Sequence, residues 1–235
     1  MDKGMANGDR KANESELMAM VAHELRTPLT SIKGFAQLLL RLSERKPEQA
    51  ERYASVIETE SNRMIGIIND VMDISRLDAG LLPIVKQPLA LGDAVRMAVA
   101  SADSGIGRRK LEIDVPYTLP RVPADARRIV QAIVNLLSCV AKYSGEDDPI
   151  EIGARAEEDG VTAWVNDVSR VIQADRFDHI FGRRLACNGG GTDDQVQGSG
   201  LTLYIARRLI EAHDGETWVE SEEGKGARFF IKLYY

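Results

Sequence analysis

In the stretch HELRTPL, residues 23–29, an imidazole stands beside a carboxylate and a proline follows at position 28. A neutral imidazole is a good nucleophile near pH 7. A neighbouring carboxylate can take the proton from one ring nitrogen while the other attacks a phosphorus or carbonyl centre. On a helix, Thr27 lies one turn from His23 on the same face, and Glu24 is the adjacent residue. Pro28 offers no amide hydrogen to the carbonyl of Glu24, so the helix is expected to bend where the histidine sits, with its backbone loosened there. A solvated histidine on a charged helix face has the same spacing, so residue types alone leave both readings open.

The rest of the composition narrows the chemistry. Cys139 and Cys187 lie far apart without a Cys or His neighbour at ligand spacing, which argues for reduced thiols and against a zinc site or disulfide framework. A net charge of −6 and a pI near 5.3 argue against a phosphate-backbone binder, whose affinity comes from clustered Lys and Arg, so no nucleic-acid partner is expected. With 44% hydrophobic and 28% charged residues the composition is that of a globular protein. The longest apolar runs, such as Phe35–Leu40, fall far short of the ~20 residues a spanning helix needs, and Met1–Ala12 lacks a signal-peptide core. No membrane segment is expected, and the chain reads as cytoplasmic or as a soluble fragment.

The elements that must position these residues are legible as periodicities. Residues 1–12 are polar and glycine-bearing and read as a disordered leader. From Asn13 a helical pattern runs through Leu17, Val21, Leu25, Leu29, Ile32, Leu39 and Leu42, and the polar tract Ser43–Lys46 interrupts it. Pro47 suits the first position of a new helix, with Glu48 in its first turn. Tyr53, Ile57, Glu60, Met64, Ile67, Val71 and Ile74 alternate steps of four and three, a heptad seam that Gly80 ends. The two helices form a hairpin, residues 13–80, whose seam is too long to bury alone; a homodimer, giving a four-helix bundle, is the economical solution.

Residues 81–235 change character. A short extended stretch precedes a helix from Leu91, KLEIDVP alternates like a strand, and PADARRIVQAIVNLLSCVAKYS is an amphipathic helix. IEIGARAEEDGVTAWVND reads as a hairpin turning at Glu158–Gly160. GLTLYIARRLIEAHDG is a helix with Gly215 as its stop, and TWVES with ARFFIKLYY closes the chain as a second hairpin. The expected fold class is multidomain, α and α+β: a helical hairpin followed by an α/β sandwich with helices on one face of a mostly antiparallel sheet.

AHELRTPLTSIKGFAQLL resembles the phosphoacceptor box of the sensor histidine kinases of two-component systems, nearly residue for residue, and the hairpin is similar to their dimerisation and phosphotransfer domain. The resemblance implies that His23 is phosphorylated, that Glu24 is the base assisting attack, and that Thr27 helps position water in the phosphatase reaction. It implies a response regulator receiver domain as partner.

The second domain resembles the ATP-binding domain shared with gyrase, Hsp90 and MutL, which implies ATP and Mg²⁺ as cofactors. In NLLSCVAKYS, Asn135, Lys142 and Tyr143 match nucleotide-binding positions, but Cys139 takes the place of the asparagine that holds Mg²⁺. A thiol is a soft ligand where magnesium wants a hard oxygen. Asn135, one turn earlier on the same face, is the remaining candidate metal ligand. In DVSRVI, Asp167 matches the residue that reads the adenine amino group, while Ser169 and Val171 stand where two glycines are expected. A β-branched Val171 is expected to reshape or partly fill the adenine pocket.

Phe177, Ile180 and Phe181 match an aromatic segment, and residues 185–197 correspond to the lid over ATP. Gly198 and Gly200 match a second glycine box at a helix start, where backbone N–H groups suit phosphate, and Thr202 replaces a further glycine. The resemblance therefore implies two-component signalling with phosphate carried on His23 and exchanged with a regulator aspartate. ATP-dependent autophosphorylation is the first expectation. The replacements at Cys139, Ser169 and Val171 equally suit a phosphotransferase, phosphatase or pseudokinase with little ATP binding, and a non-catalytic dimeric scaffold is the third reading.

Overall fold

Pro47 occupies the first turn of the second of two long helices, where its missing N–H has no partner to lose. The structure is a computed structural model and describes residues 3–42, 46–106, 109–145, 147–167, 171–172, 180–181 and 200–235. The chain divides into two units, Met1–Gly80 and Leu81–Tyr235.

The first unit is a hairpin of α1 (Lys3–Leu40) and α2 (Pro47–Asp78). Phe35 and Tyr53 pack near its turn with ring centroids 5.7 Å apart. Gly80, at φ 68°, adopts the left-handed conformation just past the last turn of α2, as a helix stop requires. The heptad seam is the shielded face of α2, and Ile74 is fully buried. A second apolar set, Leu29, Leu38, Ile65, Ile68 and Met72, stays 45–56% exposed.

The helix departs from expectation at its start. It begins at Lys3, so it includes residues assigned above to a disordered leader, although Gly4, Asn7, Gly8 and Asp9 there are poor helix formers. Pro28 lies inside α1, which continues past it to Leu40.

The second unit carries β1 (Gln87–Ala90), α3 (Leu91–Ile106), β2 (Leu111–Asp114), β3 (Arg121–Ala124), α4 (Ala126–Tyr143), β4 (Ile150–Ala156), β5 (Gly160–Asp167), α5 (Gly200–Glu211), β6 (Glu216–Glu222) and β7 (Gly226–Tyr234). β2-β4-β5-β7-β6 form one sheet, antiparallel except for the β2-β4 pair, and β1 pairs with β3 in a separate antiparallel ribbon. Strand β3 was not foreseen: it is four residues long and contains Pro123, which weakens any strand signal.

Ile152, Ala163, Val165 and Ile231 meet Val95 of α3 and Ile133 and Leu136 of α4 across one face of the sheet. On the other face Gly153, Trp164, Phe230 and Trp218 stand in register across β4, β5, β7 and β6. The Trp218 and Phe230 rings stack at 4.7 Å, and the guanidinium groups of Arg228 and Arg155 lie 5.6 and 5.8 Å over Trp164. These long side chains lie over the aromatic row on the face of the sheet away from α3 and α4.

The end of α5 also differs in detail. Asp214, not Gly215, takes the left-handed conformation, at φ 61°. Gly215 is required for another reason: a Cβ there would come within 2.4 Å of the Lys232 carbonyl oxygen.

Candidate functional site

On α1 the side chain of His23 is exposed, as is that of Thr27, while Glu24 and Pro28 are buried. Adjacent helical residues diverge by about 100°. Glu24 therefore turns toward α2, where its Oε2 lies 3.9 Å from Nη2 of Arg63. Arg63 also reaches Glu60, Nη1 to Oε2 at 3.7 Å. Thr30 donates its hydroxyl to the carbonyl of Arg26 at 2.8 Å, a local bond beside the proline. An accessible imidazole one turn from an exposed hydroxyl, with a carboxylate adjoining, can act as a nucleophile with a proton acceptor nearby. The pairing of Glu24 with the partly exposed Arg63 was not legible from HELRTPL, because it depends on which α2 residue the hairpin brings opposite.

On α4 the candidate residues sit in a helix fastened at both ends. Asp125 is its N-cap: Oδ1 accepts from the N–H groups of Arg127 and Arg128 at 3.1 and 3.3 Å. Asp125 Oδ2 also accepts from the N–H of Val85 at 3.1 Å. The Asp125 N–H donates to Nε2 of His213 at 3.0 Å, and His213 Nδ1 lies 2.7 Å from the carbonyl of Leu209, so the ring donates through Nδ1 and accepts through Nε2. Burial holds the His213 imidazole below its ordinary pKa, against the opposing pull of the Leu209 carbonyl, and the charge of Lys86 adds to the lowering. Lys86 pairs with Asp214, whose carboxyl that bond holds below its usual range.

At the other end Arg109 donates to three carbonyls: Nη1 to Ile106 at 2.9 Å, Nη2 to Ser144 at 3.1 Å and Nε to Gly145 at 3.1 Å. One guanidinium thus closes the C-terminal turns of both α3 and α4. Neither His213 nor Arg109 was foreseen. The signal for His213 was its place beside the α5 stop; nothing in the sequence marked Arg109.

Between these fastenings Asn135 and Cys139 stand one turn apart, 8% and 4% exposed. The Nδ2 of Asn135 is buried with no hydrogen-bond partner. Asp167 ends β5, 2% exposed, in register with Ile150 and Ala227. Gly200 is the first residue of α5. Val171, expected to crowd a pocket, is 51% exposed. Ile180 and Phe181 are buried, and the Phe181 ring meets Phe229 edge-on at 6.2 Å, a core contact. Ser169, Phe177, Cys187, Gly198, the expected lid at 185–197 and the side chains of Lys142 and Tyr143 lie outside the described residues.

Residues 13–80 match the family model of the His Kinase A phospho-acceptor domain, and residues 124–235 match that of the histidine kinase-, DNA gyrase B- and HSP90-like ATPases. The chain belongs to the sensor histidine kinases of two-component systems. It is 30% identical over 232 residues to the methanogenesis regulatory histidine kinase FilI of Methanothrix harundinacea, covering 96% of this chain and 25% of that protein. It is 30% identical over 240 residues to the sensor histidine kinase GacS of Pseudomonas protegens, covering 94% of this chain and 24% of that protein. The chain thus spans about a quarter of the length of these relatives.

Among solved structures, full-length ShkA in complex with AMPPNP superposes with a TM-score of 0.61 at 26% identity, over 94% of this chain and 45% of that one. ThkA in complex with the response regulator TrrA shares the fold, with a TM-score of 0.65 at 22% identity over 96% of this chain and 63% of that one. Among the described residues no helix is long and apolar enough to cross a membrane.

The described residues fit a nucleotide better than they fit its metal. Asn135 offers an unmet buried N–H, which a ligand oxygen or ring nitrogen could satisfy. Magnesium takes hard oxygen ligands in near-octahedral geometry, and the buried thiol of Cys139 is not one. No cluster of three or more His, Cys, Asp or Glu that could hold a metal occurs among the described residues. A magnesium ion does not fit at Cys139.

Proposed function

We propose that this chain is the dimerising phosphoacceptor and nucleotide-binding part of a two-component signalling protein, with His23 as the phosphoryl carrier. The observation that carries the reading is the exposed His23 flanked by Glu24 and Thr27 on α1, inside the segment that matches the phospho-acceptor family. Phosphate passes between His23 and an aspartate of a response regulator receiver domain. Glu24 takes the imidazole proton during attack, and Thr27 helps hold the water that hydrolyses the regulator's phosphate. The exposed set Leu29, Leu38, Ile65, Ile68 and Met72 is the apolar surface that a second copy covers in a four-helix bundle.

In the second unit Asn135 and Asp167, with Lys142, Tyr143, Gly198 and Gly200, hold ATP, which supplies the phosphoryl group when bound. The domain boundaries we propose are 13–80 for phosphotransfer and 81–235 for nucleotide binding. Incubation with Mg²⁺ and γ-labelled ATP is expected to leave an acid-labile label on the wild type and none on His23→Ala. Absence of that label in the wild type overturns the autokinase reading.

The buried thiol at Cys139 favours a second reading, in which nucleotide affinity is low and His23 receives phosphate from a phosphorylated regulator. Calorimetry of ATP with and without Mg²⁺ separates the two. The second reading expects weak, metal-insensitive binding, and a large metal-dependent gain in the Cys139→Asn, Ser169→Gly, Val171→Gly variant. Tight Mg·ATP binding by the wild type excludes it.

A further inference from the structure

Arg63 stands between two carboxylates. Its Nη2 lies 3.9 Å from Glu24 Oε2 on α1, and its Nη1 lies 3.7 Å from Glu60 Oε2, one turn back on α2. Both separations exceed hydrogen-bond length, so the guanidinium is shared between the two partners and committed to neither. The arginine side chain is 41% exposed, against 11% for Glu24 and 22% for Glu60. Glu60 Oε2 is buried and accepts no hydrogen bond, so the nearest compensation for its charge is the same arginine. His23 points to solvent while Glu24 is turned in toward α2, and the cation that Glu24 meets there is Arg63.

We propose that Arg63 is a positioning residue that draws Glu24 away from His23, and that Glu60 sets the strength of this hold by competing for the guanidinium. The proposal rests on the reading of Glu24 as proton acceptor for His23. In that step one ring nitrogen bonds to phosphorus, the bond from phosphorus to the leaving group breaks with its electron pair going to that group, and the proton on the other ring nitrogen passes to Glu24. A carboxylate held toward α2 is out of reach of that proton, and releasing it from Arg63 makes it available. An exposed ion pair favours its bound arrangement by up to about fivefold, which bounds the effect.

The test uses the full chain and potassium phosphoramidate, a donor that needs neither nucleotide nor regulator; attack by the imidazole displaces ammonia. The initial rate of phosphoryl addition is read by intact mass, with His23→Ala as the blank. Arg63→Met is expected to raise the rate about two- to fivefold, Glu60→Gln to lower it by a similar factor, and Arg63→Lys to fall between Arg63→Met and the wild type. In a Glu24→Gln background the Arg63→Met effect disappears.

A structural role for Arg63 moves the Arg63 and Glu60 variants in the same direction; the hold moves them in opposite directions. If Arg63→Met leaves Glu60 uncompensated and unfolds the bundle, the Arg63→Met, Glu60→Gln double variant, which carries neither charge, must show the fast rate. A rate at or below wild type in the folded Arg63 variants, with Glu24→Gln slow, overturns the proposal alone. Glu24→Gln as fast as wild type overturns the proton-acceptor reading and the proposal with it.

Discussion

Protonating His213 should loosen the start of α4. The ring is buried and both its nitrogens are engaged, Nδ1 donating to Leu209 and Nε2 accepting from the N–H of Asp125. A proton on Nε2 sets two N–H groups against each other at 3.0 Å, so the N-cap residue loses an acceptor and a buried charge appears. An unmet buried donor costs about 1–3 kcal/mol. The ionisable groups facing the ring are Lys86, Asp125 and Asp214; Lys86 opposes the added proton, while the two carboxylates soften the loss.

The sign follows from the direction of the shift. Burial lowers the folded-state pKa of His213 below its unfolded value near 6.5, so the unfolded chain binds more protons between the two values. The stabilisation is complete above the unfolded pKa, declines as pH falls through it, and stops declining below the folded value. Urea unfolding of the wild type from pH 8 to 5 is expected to show this fall, followed through the tryptophans of the second unit. His213→Gln, which cannot titrate, should lack the histidine contribution to that slope. At pH 8 the variant should itself be less stable by about 1–3 kcal/mol, or several degrees in Tm for a domain of this size. Equal slopes in wild type and variant would refute the reasoning.

Arg109→Ala removes three donors from the ends of α3 and α4, with an expected loss of about 1–3 kcal/mol in chemical unfolding, moderated by the partial exposure of the guanidinium. Arg109→Lys should restore little of it, since one ammonium cannot span three carbonyls, and faster amide exchange should be confined to the last turns of the two helices. Gly153→Ala places a Cβ 2.0 Å from Trp164, which is bracketed by Arg155, Arg228 and Phe230. The indole must shift, lowering stability by about 1–3 kcal/mol and changing the tryptophan emission of the folded state.

The parts legible in the sequence were those with a repeating signal. The α2 seam, with Pro47 at its start and Gly80 at its stop, followed from steps of three and four, and the β4-β5 hairpin from alternation around Glu158–Gly160. What was not legible depends on single long-range partners. Arg63 is an ordinary surface arginine in the pattern of α2, and only the hairpin brings it to Glu24. His213 gains its role from Asp125, which lies 88 residues earlier. Strand β3 escaped because four residues with a proline carry too little pattern. Gly215 drew attention as a helix stop, but the need for glycine there is the closeness of the Lys232 carbonyl, which no local rule anticipates.

The position of Cys139 separates what the helix needs from what a ligand needs. α4 is held by Asp125 and His213 at one end and by Arg109 at the other, and its inner face packs Ile129, Ile133, Leu136 and Val140. A buried asparagine at 139 would bring a side-chain amide whose carbonyl and NH2 both need partners, whereas a thiol behaves as a small apolar filler with slight hydrogen-bonding demand. The exchange removes a hard ligand while easing the burial of the helix. Asn135, one turn away, keeps its amide and with it an unmet donor, the kind of local deficit retained where a ligand compensates. If a nucleotide binds beside α4, the two residues pull the site in opposite directions: the thiol offers nothing to a metal, and the amide of Asn135 offers a donor to the nucleotide. Weak ATP binding without sensitivity to Mg²⁺ is the behaviour we propose for this combination.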